Sequence, residues 1–262
     1  MLVIGASGYL GSEVFRQAGA RALGTYSSHP LASCQHYNFF TDALTPILAR
    51  LEPNAPVVFA AAVERVQADS QIFLSALKRF VGEIARSKRR LVYVSSDAVF
   101  SGTKGQYSED DTPDALSLYG QNLRYFEQEV AEQVANSLIV RVSYMYGDTD
   151  SHKDRRIIEA RAALDSGQSF YRYDNIHKSP VPVVAAARMI TSLARSDISG
   201  VLHIPGPRLS IFEFFTKELK SIGGLSGRVQ ACAAELAAGE GPDTSLVNNE
   251  ESARVLRTLS YL

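Results

Sequence analysis

The chain has 262 residues, 45% of them hydrophobic and 21% charged, with a formal net charge of −1. That is an ordinary globular composition, long enough to bury a sizeable core. Charges of both signs are mixed along the chain, which argues against nucleic acid or a membrane surface as a partner. The two cysteines, Cys34 and Cys232, lie far apart, which excludes a disulfide framework and fits a reducing, cytoplasmic compartment.

Met1 runs directly into Leu2-Val3-Ile4-Gly5 with no basic head or cleavage site, so no signal peptide is expected. The longest wholly apolar run, Val57 to Val63, is too short to cross a bilayer. In chain order, short apolar strands are expected at Leu2–Ile4, Ala22–Tyr26, Val57–Ala60, Arg90–Ser95 and Leu138–Val142. Helical patterns fall between them at Tyr9–Ala18, Asp42–Arg50, Asp69–Ser87 and Leu118–Ala135. Strands alternating with helices, and strands without polar alternation, predict a parallel sheet covered on both faces.

After Gly147 the rhythm is less regular: a polar helix (Lys153–Ser166), a Tyr-rich stretch at Phe170–Tyr173, Ser179-Pro180-Val181-Pro182, a helix (Val183–Arg195), a strand (Val201–Ile204) and a helix-rich end. The fold class expected is α/β, a Rossmann-like doubly wound parallel sheet with a smaller C-terminal α/β lobe. Residues 1–147, with roughly 175–200, would form the dinucleotide-binding domain; residues 148–174 and 201–262 would form the substrate lobe. The tyrosines at 171 and 173 are read as packing between lobes, and Lys88-Arg89-Arg90 as a solvated helix end. His36, His152 and His203 lack metal-ligand spacing, so no metal site is expected.

Gly5-Ala6-Ser7-Gly8-Tyr9-Leu10-Gly11 follows the first strand and opens the first helix. Gly5 suits a tight strand-to-helix turn, Gly8 a close approach of backbone to a pyrophosphate, and Gly11 the packing of helix on strand. Ser7, Tyr9 and Leu10 belong to the same turn. The second strand ends Thr25-Tyr26-Ser27-Ser28-His29. It lacks the acidic residue that would bond a ribose 2′-hydroxyl and repel a 2′-phosphate. NADP(H) is therefore favoured over NAD(H), with Ser27 near the cofactor.

Three segments taken together, Gly5–Gly11, Val58-Phe59-Ala60-Ala61-Ala62 and Val94-Ser95-Ser96-Asp97-Ala98-Val99-Phe100-Ser101-Gly102, resemble the extended short-chain dehydrogenase/reductases. The branch they are most similar to is the dTDP-4-dehydrorhamnose reductase type. Tyr107–Pro113, Tyr119-Gly120, Arg141–Gly147, Ser179-Pro180-Val181, Leu202–Pro207 and Pro242–Leu246 continue the likeness in order. The resemblance implies an NAD(P)H-dependent oxidoreductase acting on a nucleotide-linked 4-keto sugar, with a homodimer as a common assembly. By this resemblance Ser96 would bond the carbonyl oxygen and Tyr119 would donate the proton. Ala60, Ala61 and Ala62 would line the adenosine side, and Arg65, Asp97, Val99 and Lys178 would neighbour the substrate.

The family's Tyr-x-x-x-Lys reads Tyr119-Gly120-Gln121-Asn122-Leu123, and no Tyr-x-x-x-Lys exists anywhere in the chain. Leucine can neither hold a nicotinamide ribose nor assist ionisation of a phenol whose ordinary pKa is about 10. Three functions follow as expectations: a reductase in which Tyr119 donates its proton unaided, an epimerase-type enzyme on a modified sugar, and a cofactor-binding regulatory subunit without catalysis.

Overall fold

Strands as apolar as Val57-Val58-Phe59 have to be covered on both sides, and the computed structural model, which describes residues 1–65, 70–221, 223 and 228–260, shows that cover. The first half consists of β1 (Leu2–Ile4), α1 (Tyr9–Ala18), β2 (Leu23–Tyr26), β3 (Cys34–His36), α2 (Thr45–Leu48), β4 (Val57–Phe59), α3 (Ser70–Ser87), β5 (Leu91–Ser96), α4 (Leu118–Gln133) and β6 (Ser137–Val142). Then come β7 (Met145–Tyr146), α5 (Arg155–Asp165), β8 (Phe170–Tyr173), β9 (His177–Lys178), β10 (Val181–Pro182) and α6 (Val183–Ala194). The last elements are β11 (Gly200–Ile204), β12 (Leu209–Ser210), α7 (Ile211–Ser221), β13 (Val229–Cys232) and α8 (Glu250–Ser260).

Seven strands form one parallel sheet in the order β11-β6-β5-β4-β1-β2-β3. The order reverses between β1 and β4, where Ile4 is in register with Phe59. In such sheets the crevice beyond the carboxyl ends at the reversal is where ligands bind. On one face, α3 and α4 bury an aromatic core in which Tyr93 and Phe126 stack at 4.1 Å and Phe59 lies 4.9 Å from both Phe80 and Phe126. On the other face, α1 and α6 pack on Val3, Val58, Val92 and Val140, with Val255 and Leu259 of α8 against them. A separate small core of Leu164, Phe170, Phe214, Phe215 and Val229 holds α5, α7, β8 and β13 together.

Several elements differ from the expectation. β3 is only three residues long and begins beside a positive-φ Ser33, so it carries little strand signal. The helix expected over Asp42–Arg50 reduces to Thr45–Leu48, started by Pro46 where a proline is best tolerated. The start of α3 at Asp69 lies outside the described residues. The stretch Phe170–Tyr173 is an outer strand paired with β13, not packing between lobes. Phe170 turns inward, while Tyr171 and Tyr173 are exposed. Val201–Ile204, assigned by sequence to the substrate lobe, instead extends the central sheet as β11 beside β6. Of Lys88-Arg89-Arg90 only Lys88 is exposed; Arg89 is half-buried and Arg90 buried. Arg89 donates to the Glu52 and Leu48 carbonyls at 2.7 and 3.2 Å, and Arg90 is buried and bonds Asn136 and the Leu193 carbonyl.

Candidate active site

The glycine turn stands at the sheet reversal. Gly5 has φ +86°, and a Cβ there would lie 2.8 Å from the Ala61 nitrogen; only glycine takes that backbone without strain. A Cβ on Gly11 would lie 2.0 Å from the Gly5 carbonyl oxygen, so Gly11 lets α1 pack on β1. Gly8 is exposed and forms the N-cap of α1, and no side chain caps this helix start. Uncapped amide hydrogens at a helix N-terminus fit a diphosphate bridge. The turn opens into a cavity of about 850 Å³, whose lining includes Ser7, Gly8, Tyr9, Leu10, Ser27 and Ala60 to Ala62.

Across the mouth, the Tyr9 hydroxyl donates to the Gly147 carbonyl, and Ser12 Oγ lies 3.2 Å from His152 Nδ1. Burial, then the neighbouring Asp154, pushes the Tyr9 phenol up, so it remains a donor. The loop after β7 is thereby strapped to the first turns of α1.

At the end of β5, Ser96 caps a 3₁₀ turn (Asp97–Val99) by accepting from the Ala98 amide at 3.2 Å, and donates to Asp97 Oδ1 at 2.9 Å. Asp97 Oδ2 accepts from Ser143, Lys178 and Thr244, each at 2.9 Å. Lys178 Nζ also donates to Thr244 at 2.6 Å. Four chain segments thus converge on one buried carboxylate. The single Ser96 proton is engaged with Asp97, so donation to a ligand requires the hydroxyl to rotate.

Tyr119 reaches this place because α4 begins against the 3₁₀ turn. Ser117 caps the helix by accepting from the Gly120 amide at 3.1 Å, and a Cβ on Gly120 would lie 2.2 Å from the Ala98 carbonyl oxygen. The Arg65 guanidinium sits 5.1 Å from the Tyr119 ring centroid, within cation–π range. Burial first, and the Glu64 carboxyl second, push the Tyr119 phenol up, with Arg65 opposing them. Tyr119 is therefore a neutral phenol across the ordinary pH range: an acid, not a base. Leu123 lines the cavity one turn later but is 2% exposed and packs in the aromatic core.

The structure brings Ser96, Asp97, Tyr119, Arg65 and Lys178 to the same cavity as the glycine turn. Two expected site residues fall elsewhere. Val99 is wholly buried in the core and does not line the cavity, because the 3₁₀ turn points it inward. Gly11 backs Gly5 and packs instead of lining. The sequence singles out none of Glu64, His152 and Arg156 as a site residue, yet all three line the cavity. The apolar run before Glu64 was the available signal.

A crossover sheet with a glycine turn at its reversal, a serine where β5 ends and a tyrosine where α4 begins, defines the extended short-chain dehydrogenase/reductase fold. The family model described as "RmlD substrate binding domain" matches residues 1–258, and the chain belongs to that family. The fold is similar to the crystal structure of a hypothetical dTDP-4-dehydrorhamnose reductase from Sulfolobus tokodaii, with TM-score 0.79 and 25% identity over 99% of this chain and 94% of that one. It is also similar to dTDP-4-dehydrorhamnose reductase from Bacillus anthracis str. Ames in complex with NADP, with TM-score 0.75 and 20% identity over 100% and 92%. Methionine adenosyltransferase 2 subunit beta from Rattus norvegicus is 28% identical over 168 residues, covering 60% of this chain. The chain spans about half the length of the curated relatives it matches (50% for the rat protein).

Proposed function

We propose that the protein is an NADP(H)-dependent reductase of a nucleotide-activated 4-keto sugar. The observation that carries this reading is that Tyr119 and Ser96 line the same cavity as the uncapped glycine turn. The cofactor, when bound, supplies a hydride to the carbonyl carbon. The amides that open α1 hold its diphosphate, and Ala60 to Ala62 flank its adenosine side. Ser27 and Ser28, with no carboxylate at the tip of β2, accommodate a 2′-phosphate better than an acidic residue would. Ser96 turns from Asp97 to bond the carbonyl oxygen, and Tyr119 gives that oxygen its proton. Lys178 and Arg65 offer cations to the substrate's phosphates. Family membership and the NADP-bound neighbour support the cofactor class; the choice of NADP(H) over NAD(H) rests on the β2 tip.

The test is nicotinamide absorbance with NADPH and a panel of nucleotide-linked 4-keto sugars. Consumption of NADPH that Tyr119→Phe abolishes supports the reading; tight NADPH binding with no substrate consumed overturns it. Two observations favour a second reading in that event. Leucine at 123, and the likeness to proteins described as a subunit of methionine adenosyltransferase 2, fit a cofactor-binding regulatory subunit. Product analysis by mass and NMR would reveal epimerisation instead.

A further inference from the structure

Two buried carboxyls of the cavity, Glu64 and Asp154, have no part in the reaction described above; Asp154 is paired with Arg156 at 3.0 Å, whereas Glu64 has no ion pair among the described residues. It lies in a 3₁₀ turn (Val63–Arg65), is 3% exposed, and lines the cavity together with Tyr119. A carboxyl is seldom buried without a partner, and here the Tyr93 hydroxyl from β5 donates to Glu64 Oε1 at 2.7 Å. The segment is pinned to α4: Asn122, one turn after Tyr119, donates from its amide to the Glu64 carbonyl oxygen at 3.2 Å. Residues three apart share a helix face, so Glu64 is fixed on the side of α4 that carries Tyr119.

Among the described residues, four side chains face Glu64. Tyr93 donates to it from β5, Asn122 and Tyr119 face it from α4, and Arg65 follows it in its own turn. Glu127, further along α4, is committed to Arg141 at 2.7 Å and to the Ser95 hydroxyl at 2.6 Å. Arg65 lies over the Tyr119 ring. Burial raises the Glu64 carboxyl to about 7, with the Tyr93 bond and Arg65 opposing. Tyr119 therefore has beside it, in place of a lysine, an acid that both holds and releases a proton near neutrality.

We propose that Glu64 is the positioning and proton-return residue for Tyr119, substituting for the absent lysine at position 123. The inference rests on the reductase reading. When the Tyr119 O–H bond breaks and its proton passes to the carbonyl oxygen, the hydride having gone to the carbonyl carbon, Tyr119 is left as a phenolate. The Glu64 carboxylic acid then gives up its proton to the phenolate through solvent in the cavity that both line, and the resulting carboxylate recovers one from water. A carboxylate at Glu64 disfavours a phenolate at Tyr119, so proton donation by Tyr119 is favoured while Glu64 holds its proton.

The test compares wild-type protein with Glu64→Gln and Glu64→Asp, using NADPH and the 4-keto sugar panel. NADPH affinity, read from nicotinamide fluorescence, should be alike in all three, showing an intact cofactor crevice. In wild type, turnover should fall as pH rises through neutrality while Glu64 deprotonates. In Glu64→Gln that limb should vanish and steady-state turnover should drop about tenfold or more, with the first turnover in rapid mixing nearly preserved. Glu64→Asp should restore a limb at lower pH. Coincident pH profiles of wild type and Glu64→Gln would overturn this inference and leave the reductase reading standing. Wild-type protein that oxidises no NADPH with any substrate overturns the reading, and this inference with it. Loss of NADPH binding in Glu64→Gln, with the Asp variant equally defective, would make Glu64 a structural element of the crevice and overturn the proton-return role.

Discussion

The Lys178 ammonium stands 2.9 Å from the Asp97 carboxylate, and the two come from opposite halves of the chain. Asp97 follows β5 and Lys178 ends β9, so the ion pair ties the carboxyl end of the central sheet to the β9–β12 pair. Thr244, from near the C-terminus, bonds both partners. The side chains are 24% and 7% exposed, which makes the pair stronger than a surface one and costlier to break from one side.

Lys178→Met should lower the unfolding free energy by ~1–3 kcal/mol, because it leaves a nearly buried carboxylate with hydroxyl donors alone. Asp97→Asn should cost a similar amount. In the double variant the two losses should fall short of their sum, the mark of coupled partners. Urea unfolding of the four proteins measures this. Strict additivity would show that the two groups stabilise independently.

The second and third glycines of the turn, Gly8 and Gly11, should respond differently. Gly11→Ala puts a methyl carbon 2.0 Å from the Gly5 carbonyl oxygen, and neither backbone can yield without separating α1 from β1. The expected loss is ~3 kcal/mol or more. Gly8→Ala meets the same oxygen only at 3.3 Å, so the fold should survive within ~1 kcal/mol. Its methyl group projects where a diphosphate would approach, and NADPH affinity should fall about tenfold or more. Thermal unfolding and nicotinamide fluorescence separate the two effects. Equal NADPH binding by Gly8→Ala and wild type would remove the turn from the cofactor site.

Leu123→Lys restores the residue type that the family pattern places one turn after the tyrosine. Its ammonium should enter the cavity that Leu123 already lines and raise NADPH affinity, at some cost to the aromatic core it leaves. A cation there also opposes the burial and the Glu64 charge that push the Tyr119 phenol up, so the phenol should ionise at lower pH. Any oxidation measured with the alcohol product should then begin at lower pH than in wild type. Titrating cofactor binding and the reverse reaction against pH checks both. Unchanged cofactor affinity would mean that position 123 does not face the nicotinamide end.

The sheet and its glycine turn were legible because each rests on local signals: apolar strands bounded by turns, and glycines where a Cβ would collide. That Ser96 and Tyr119 would meet in one cavity was legible from family spacing. The surroundings of Glu64 were not, since Tyr93 and Asn122 reach it from elements 29 and 58 residues away. Val99 was misplaced because a 3₁₀ turn, unlike a strand, sends neighbouring side chains to unrelated sides, leaving Asp97 in the cavity and Val99 in the core. The place of β11 was hidden for a related reason: its pairing with β6 is a long-range contact that no local pattern encodes.

His203 offers a pH test of the bracing behind the site. It is wholly buried; its Nδ1 lies 3.0 Å from the Val247 carbonyl and its Nε2 3.3 Å from Arg141 Nη1. Both contacts are satisfied by a neutral ring that donates from Nδ1 and accepts at Nε2. A second proton would face the guanidinium. Burial foremost, with Arg141 contributing against the pull of Glu109, holds the imidazole below its ordinary 6.5. The unfolded chain therefore binds a proton that the folded chain refuses in the interval between the two values. Stability must rise with pH there and be lost as pH falls through 6.5 toward the folded value. His203→Gln should be less stable at neutral pH yet lose this contribution to the slope. Urea midpoints for both proteins, taken at steps from neutrality into the acid range, should converge as the pH falls. Parallel curves would show that the ring is protonated in the folded protein and that Arg141 does not exclude the charge.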